Sequence, residues 1–219
     1  MGSLKEKVEK SIAEGRVVAI IRGFDAETCL RLADACIIGG IRAVEVTYVQ
    51  TDRALWTRTT DAISAIAKRF GGEISVGAGT VLTSEQLAMT RDAGGEFMVA
   101  PNVNPALVRE CVGMGLASIP GAMSPTEAVA AREAGATFVK VFPAGRLGPS
   151  YVKALKAPLA HIPMLAVGGI TPDNIADFIK AGCVGAAVSG VLQNRELMEA
   201  GEWGRIAEIA RTLVERART

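Results

Sequence analysis

SPTEAVAAREAGATFVKVFPA, residues 124–144, decides the fold because it holds both halves of one repeating unit. Ser124 is a residue type that caps helices, Pro125 stands in the first turn where a missing N–H costs nothing, and Gly135 closes the segment. The run that follows, FVKVFPA (138–144), is short, apolar and β-rich. The same plan recurs on either side. TSEQLAMTRDAGG (83–95) opens on a capping box of Thr83 and Gln86, NPALVRECVGMG (104–115) on Asn104 and Pro105, and TPDNIADFIKAG (171–182) repeats the Ser-Pro plan as Thr-Pro. Runs like 138–144 recur at VVAIIRG (17–23), RAVEVTYV (42–49), ISVGAGTV (74–81), FMVAP (97–101), ASIPGA (117–122), MLAVGG (164–169) and GAAVSG (185–190), which makes eight in all.

Strands that alternate with helices pair in parallel through crossovers, and eight such units favour a closed (β/α)8 TIM barrel over an open doubly wound sheet. No GxGxxG opens the first helix, which weakens the case for a dinucleotide site on an open sheet. EWGRIAEIARTLVERAR has the pattern of an amphipathic closing helix. With 219 residues, 49% of them hydrophobic, and no linker or low-complexity stretch, residues 1–219 are expected to form one domain.

Lys plus Arg (24) and Asp plus Glu (23) nearly cancel, so neither a nucleic acid nor an anionic membrane is an expected partner. A small, locally charged ligand fits better. MGSLKEKVEKSIAEG is charged and lacks a long apolar core, which argues against a signal peptide or a membrane span and points to the cytoplasm. Cys29, Cys36, Cys111 and Cys183 sit in apolar stretches without a CxxC pair, as reduced packing thiols do. His161 is the single histidine, and no clustered Cys/His pattern exists, so no metal and no cofactor is expected. A Ser–His–Asp triad is disfavoured too, since His161 falls in the helical ALKAPLAHIP stretch before the seventh run, where a surface position is expected.

In a barrel, polar residues at the C-terminal ends of strands are the candidates for chemistry. Strand alternation in TFVKVFPA puts Phe138, Lys140 and Phe142 on one face. On an edge strand Lys140 would simply snorkel to water. A closed barrel has no edge, so this lysine is expected to be buried, where loss of solvation disfavours the ammonium and frees an amine that attacks carbonyls. Ala43, Glu45 and Thr47 share a face of the second run, and Glu45 alone reads as a structural carboxylate. Because side-chain layers in these barrels come from alternate strands, the second and sixth runs are expected to bring Glu45 and Lys140 into one layer, as proton carrier and nucleophile. Gly168, Gly169, Ser189 and Gly190, after the seventh and eighth runs, are candidate contacts for an anion through backbone N–H groups. GAGT (77–80) reads by itself as a loop, with Thr80 a candidate donor to a ligand carboxylate.

Taken in order, VVAIIRG, VEVT, GAGTVL, the IPG of the fifth run, FVKVFPA, LGPSYVKALKAPL and AVGGITPDN make the chain similar to bacterial aldolases that cleave 2-keto-3-deoxy-6-phosphogluconate, its galactonate epimer or 4-hydroxy-2-oxoglutarate. The resemblance implies a metal-independent Schiff-base aldolase, with Lys140 as imine-forming lysine, Glu45 as acid/base, Thr80, Pro101 and Phe142 around the pyruvate, and Gly168–Gly169 in the phosphate site. It also implies pyruvate plus an aldehyde as products, and a homotrimer. Two positions depart from the gluconate branch: Val49 replaces an arginine, and Gly190 stands where the phosphate-binding serine is expected, one place after Ser189. Arg22, in AIIRG as in the galactonate branch, is the alternative anion contact. These departures shift the expected distal group toward a carboxylate or hydroxyl. A phosphosugar isomerase or synthase, with Lys140 a non-covalent contact, and a non-catalytic keto-acid-binding barrel stay open as other readings.

Overall fold

Each of the eight apolar runs becomes strand in a computed structural model that describes residues 2–219. They are β1 (Val17–Ile21), β2 (Ala43–Thr47), β3 (Ser75–Gly79), β4 (Phe97–Val99), β5 (Ala117–Ile119), β6 (Gly121–Ala122), β7 (Val139–Val141), β8 (Met164–Val167) and β9 (Gly185–Val188). The fifth run supplies both β5 and β6, split at Pro120. Neighbours pair in parallel in the order β5-β4-β3-β2-β1-β9-β8-β7-β6. The two ends of that list are consecutive in the chain, so the sheet is a nearly closed TIM-type barrel. Pro120 brings no N–H to the ladder, yet its carbonyl accepts from the Lys140 N–H at 2.9 Å and so ties the closure to β7.

Helices wrap this sheet: α1 (Leu4–Gly15), α2 (Ala26–Ile38), α3 (Trp56–Phe70), α4 (Ser84–Asp92), α5 (Pro105–Gly113), α6 (Pro125–Glu133), α7 (Ala144–Lys156), α8 (Ile175–Lys180), α9 (Arg195–Glu199) and α10 (Trp203–Arg216). The cap signals act unevenly. Ser124 and Glu127 form a reciprocal capping box on α6, and Asn104 accepts from the Ala106 and Leu107 N–H groups at the start of α5. Thr83 accepts from the Gln86 N–H, but the Gln86 side chain reaches back to the Leu82 N–H instead, so the expected box on α4 is only half made. TPDNIADFIKAG begins its helix late. Asn174 accepts the Thr171 N–H at 2.9 Å, which folds 171–174 into a turn and leaves Thr171 outside α8. His161 is exposed as expected, though in a turn beyond the end of α7 rather than in a helix.

Alternation sorts the side chains. Val44 and Val46 of β2 and Val139 and Val141 of β7 pack outward against the helices, whereas Ala43 and Phe138 belong to a separate core inside the barrel. That inner core includes Phe97 and Leu165, and Val8 and Ile12 of α1 join it from the N-terminal end. Burying each such aliphatic side chain stabilises the fold by about 1.5–3 kcal/mol relative to exposure, so α1 is a plug as well as a helix. Lys7 Nζ fastens it by donating to Glu96 Oε1 at 2.5 Å and to the Gly71 carbonyl at 2.7 Å. All four cysteines are buried and unpaired, and burial pushes their thiols up to about 12. No helix among the described residues is long and apolar enough to cross a membrane.

Candidate active site

With one end of the barrel plugged, the other opens into a cavity of about 500 Å³. Arg22, Glu45, Thr80, Pro101, Lys140, Phe142, Gly168, Gly169, Ser189 and Gly190 all line it, so every candidate residue named from sequence meets in one place. The remaining wall is Ile20, Val167, Ile170, Thr171, Ala187 and Val191. Strand parity carried a signal for three of these: Ile20 shares the face of Arg22, Val167 that of Gly169, and Ala187 that of Ser189. Thr171 gave none, because its place depends on the turn that Asn174 holds. Val49 faces elsewhere. It borders a separate cavity of about 90 Å³ behind β2, and its carbonyl accepts the Trp56 indole N–H at 3.0 Å.

Lys140 and Glu45 project from the middle of β7 and β2 and are 7% and 2% exposed. Burial is the main influence on both. It lowers the Lys140 pKa below the ordinary lysine value, against the pull of the Glu45 charge, and Arg22 lowers it further. It raises the Glu45 pKa above the ordinary carboxylate range, against Lys140 and Arg22. An amine relieved of its proton is a nucleophile, and a carboxyl drawn toward neutrality exchanges protons readily. Lys140 Nζ lies 4.9 Å from the centre of the Phe142 ring, which offers its cationic form some compensation. Glu45 Oε2 is buried and has no hydrogen-bond partner among the described residues. Gly79 makes room for this carboxylate: a Cβ there would stand 2.3 Å from Glu45 Oε1 and 2.9 Å from Thr47 Oγ1.

GAGT is not the loop its composition suggests. Gly77, Ala78 and Gly79 are the end of β3, and only Thr80 leaves the strand, with φ +55°. That left-handed conformation costs a β-branched residue energy, so neighbours must hold it. Gln50 Nε2 donates to the Thr80 carbonyl at 2.6 Å, Gln86 Nε2 donates to Gln50 Oε1 at 3.1 Å, and Arg22 Nη2 donates to Thr80 Oγ1 at 3.4 Å. Across the cavity Gly168 and Gly169 have φ +90° and +74°, and the Gly145 N–H donates to the Gly168 carbonyl at 2.7 Å. A Cβ on Gly168 would meet the Phe142 ring at 3.0 Å, so turn and wall are fitted to each other.

The family pattern of KDPG and KHG aldolase matches residues 8–209 of this chain. The chain belongs to that family. It is 40% identical over 177 residues to the 2-dehydro-3-deoxy-6-phosphogalactonate aldolase of Escherichia coli K12, covering 80% of this chain and 83% of that one. To the KHG/KDPG aldolase of the same organism it is 34% identical over 221 residues, the whole of both chains. A solved structure, native KDPGal, superposes with a TM-score of 0.82 at 37% identity and covers 92% of this chain and 94% of that one. This aldolase is therefore a carbon–carbon lyase that cleaves a 2-keto-4-hydroxy acid, reversibly, to pyruvate and an aldehyde. The isomerase and binding-only readings of the barrel give way to it.

Proposed function

We propose that Lys140 is the amine that carries the aldol reaction as an imine and that Glu45 moves its protons. The observation that carries this reading is the buried Lys140 amine in the mouth cavity, facing a carboxylate with an unpartnered oxygen. Neutral Lys140 Nζ adds to the C2 ketone, and loss of water from the carbinolamine gives a protonated imine. Glu45, directly or through water, takes the proton of the C4 hydroxyl. The C3–C4 bond breaks, the aldehyde leaves, and the electron pair flows through C3 into the imine to form an enamine. Protonation at C3 and hydrolysis then release pyruvate and restore the amine. Thr80, Pro101 and Phe142 enclose the keto-acid end. Arg22, Gly168, Gly169, Ser189 and Gly190 surround the distal end, whether it bears a phosphate, a carboxylate or a hydroxyl. The whole chain acts as one catalytic unit, as a homotrimer in the cytoplasm.

Incubation with pyruvate and borohydride, followed by peptide mapping, tests the central step. A reduced pyruvyl adduct on Lys140 is expected, and its loss in Lys140→Met. Folded protein that yields no adduct, or one on another lysine, overturns the assignment.

A further inference from the structure

The ladder between β1 and β9 stops early, and a side chain completes it. Pairing runs from Val17–Ala186 to Ala19–Val188, with the Ala186 N–H donating to the Arg16 carbonyl at 2.9 Å. A parallel ladder repeats every second residue, so it would continue through Val188 to Gly190, whose N–H would reach the Ile20 carbonyl and whose C=O would take the Arg22 N–H. The backbone does otherwise. It turns at Ser189, whose carbonyl accepts from the Leu192 N–H at 2.9 Å, and Gly190 faces the cavity. The Gln193 amide stands in for the missing rung: Nε2 donates to the Ile20 carbonyl, and Oε1 accepts the Arg22 N–H at 3.3 Å. Its orientation is forced, because Arg22 requires the oxygen and Ile20 the nitrogen.

Nε2 also donates to Ser189 Oγ at 2.7 Å. An amide N–H can only donate, so the Ser189 oxygen receives there and its own hydrogen is free to be given to the cavity. We propose that Gln193 is a positioning residue: it presents the Arg22 guanidinium and the Ser189 hydroxyl, both as donors, to an anionic group at the distal end of the substrate. The inference rests on the aldolase reading for the identity of that substrate.

Gln193→Glu tests it with almost no change of shape. A carboxylate cannot donate to Ile20 or Ser189, turns the serine into a donor toward itself, and adds negative charge beside the site. Condensation with pyruvate is measured for glyceraldehyde 3-phosphate, glyoxylate and glyceraldehyde, which carry a phosphate, a carboxylate and no anion. The KM for whichever anionic aldehyde the wild type prefers is expected to rise at least tenfold, with kcat, the KM for glyceraldehyde and the borohydride-trapped pyruvate adduct near wild type. Gln193→Leu combined with Ser189→Ala should cost less than the sum of the single changes, since one acts through the other. Equal changes for charged and uncharged aldehydes, no change, or full additivity would overturn the proposal. If the wild type forms no pyruvate adduct, the aldolase mechanism fails separately. Inorganic phosphate binding, read by calorimetry, still decides the role of Gln193: weaker binding in Gln193→Glu supports it, and equal or absent binding in both proteins sinks it.

Discussion

Lys140 and Glu45 each interrupt a strand that is otherwise apolar or small, and each is held where its charge is disfavoured. Two outcomes follow for catalysis. Glu45→Gln should retain the trapped pyruvate adduct while lowering kcat by about 10²–10⁴, the usual worth of positioned acid–base catalysis; unchanged turnover would remove Glu45 from the mechanism. The rate of imine trapping should climb with pH through a midpoint below the 10.5 of an ordinary lysine, because the neutral amine is the reactive form. A midpoint at or above that value would contradict the burial argument. The same pair has a cost in stability. The unfolded chain binds the Lys140 proton more tightly, so that penalty is relieved as pH rises from the folded pKa towards 10.5; the Glu45 penalty grows as pH rises from 4.5 through its raised folded pKa. At neutral pH both groups work against folding. The double variant Glu45→Gln with Lys140→Met should therefore be inactive yet more stable, by about 1–4 kcal/mol if it behaves like other buried pairs replaced by neutral residues, and thermal unfolding would read it.

The elements that matter most to this site are those that fix its floor and its rim. Helix α1 closes the floor with Val8 and Ile12, and the Lys7–Glu96 pair pins it. Glu96 is 8% exposed and its Oε2 already lacks a partner among the described residues, so Lys7→Met would strand the carboxylate and cost about 1–3 kcal/mol. Denaturant titration should show that loss with KM unchanged; a neutral result would mean that water replaces the lysine. On the rim, the turn after β3 depends on Gln50, which is exposed and makes its bonds from the loop after β2. Removing it in Gln50→Leu should free Thr80 from φ +55° and raise the KM for pyruvate more than it changes thermal stability. An equal effect on pyruvate and on the aldehyde would assign Gln50 to general rim packing instead.

For the molecule as a whole, light scattering at working concentration checks the proposed trimer, and a monomer of full activity would refute it. Much of the barrel was legible because its signals are local. Alternation along five residues told inside from outside, and a lysine among valines stood out as soon as a closed sheet denied it an edge. The Ser124 and Asn104 caps worked for the same reason: donor and acceptor lie within three residues of each other. Thr83–Gln86 and Thr171 misled where a second local partner took the bond: the Leu82 N–H donates to the Gln86 side chain in place of the Thr83 N–H, and the Asn174 side chain accepts the Thr171 N–H. Gln193 and Gln50 were invisible. Their partners, Ile20 and Thr80, lie 173 and 30 residues away, and a glutamine in a polar loop looks like any other until closure sets β1 beside β9 and β2 beside β3. Periodicity and residue type were thus enough for the barrel, its polar end and the inward direction of Lys140 and Glu45, since each depends on neighbours in the chain. The closure at Pro120, the turn of Gly190 out of its ladder and the direction in which Ser189 offers its proton depend on which strands end side by side, a long-range condition that no short window of sequence contains.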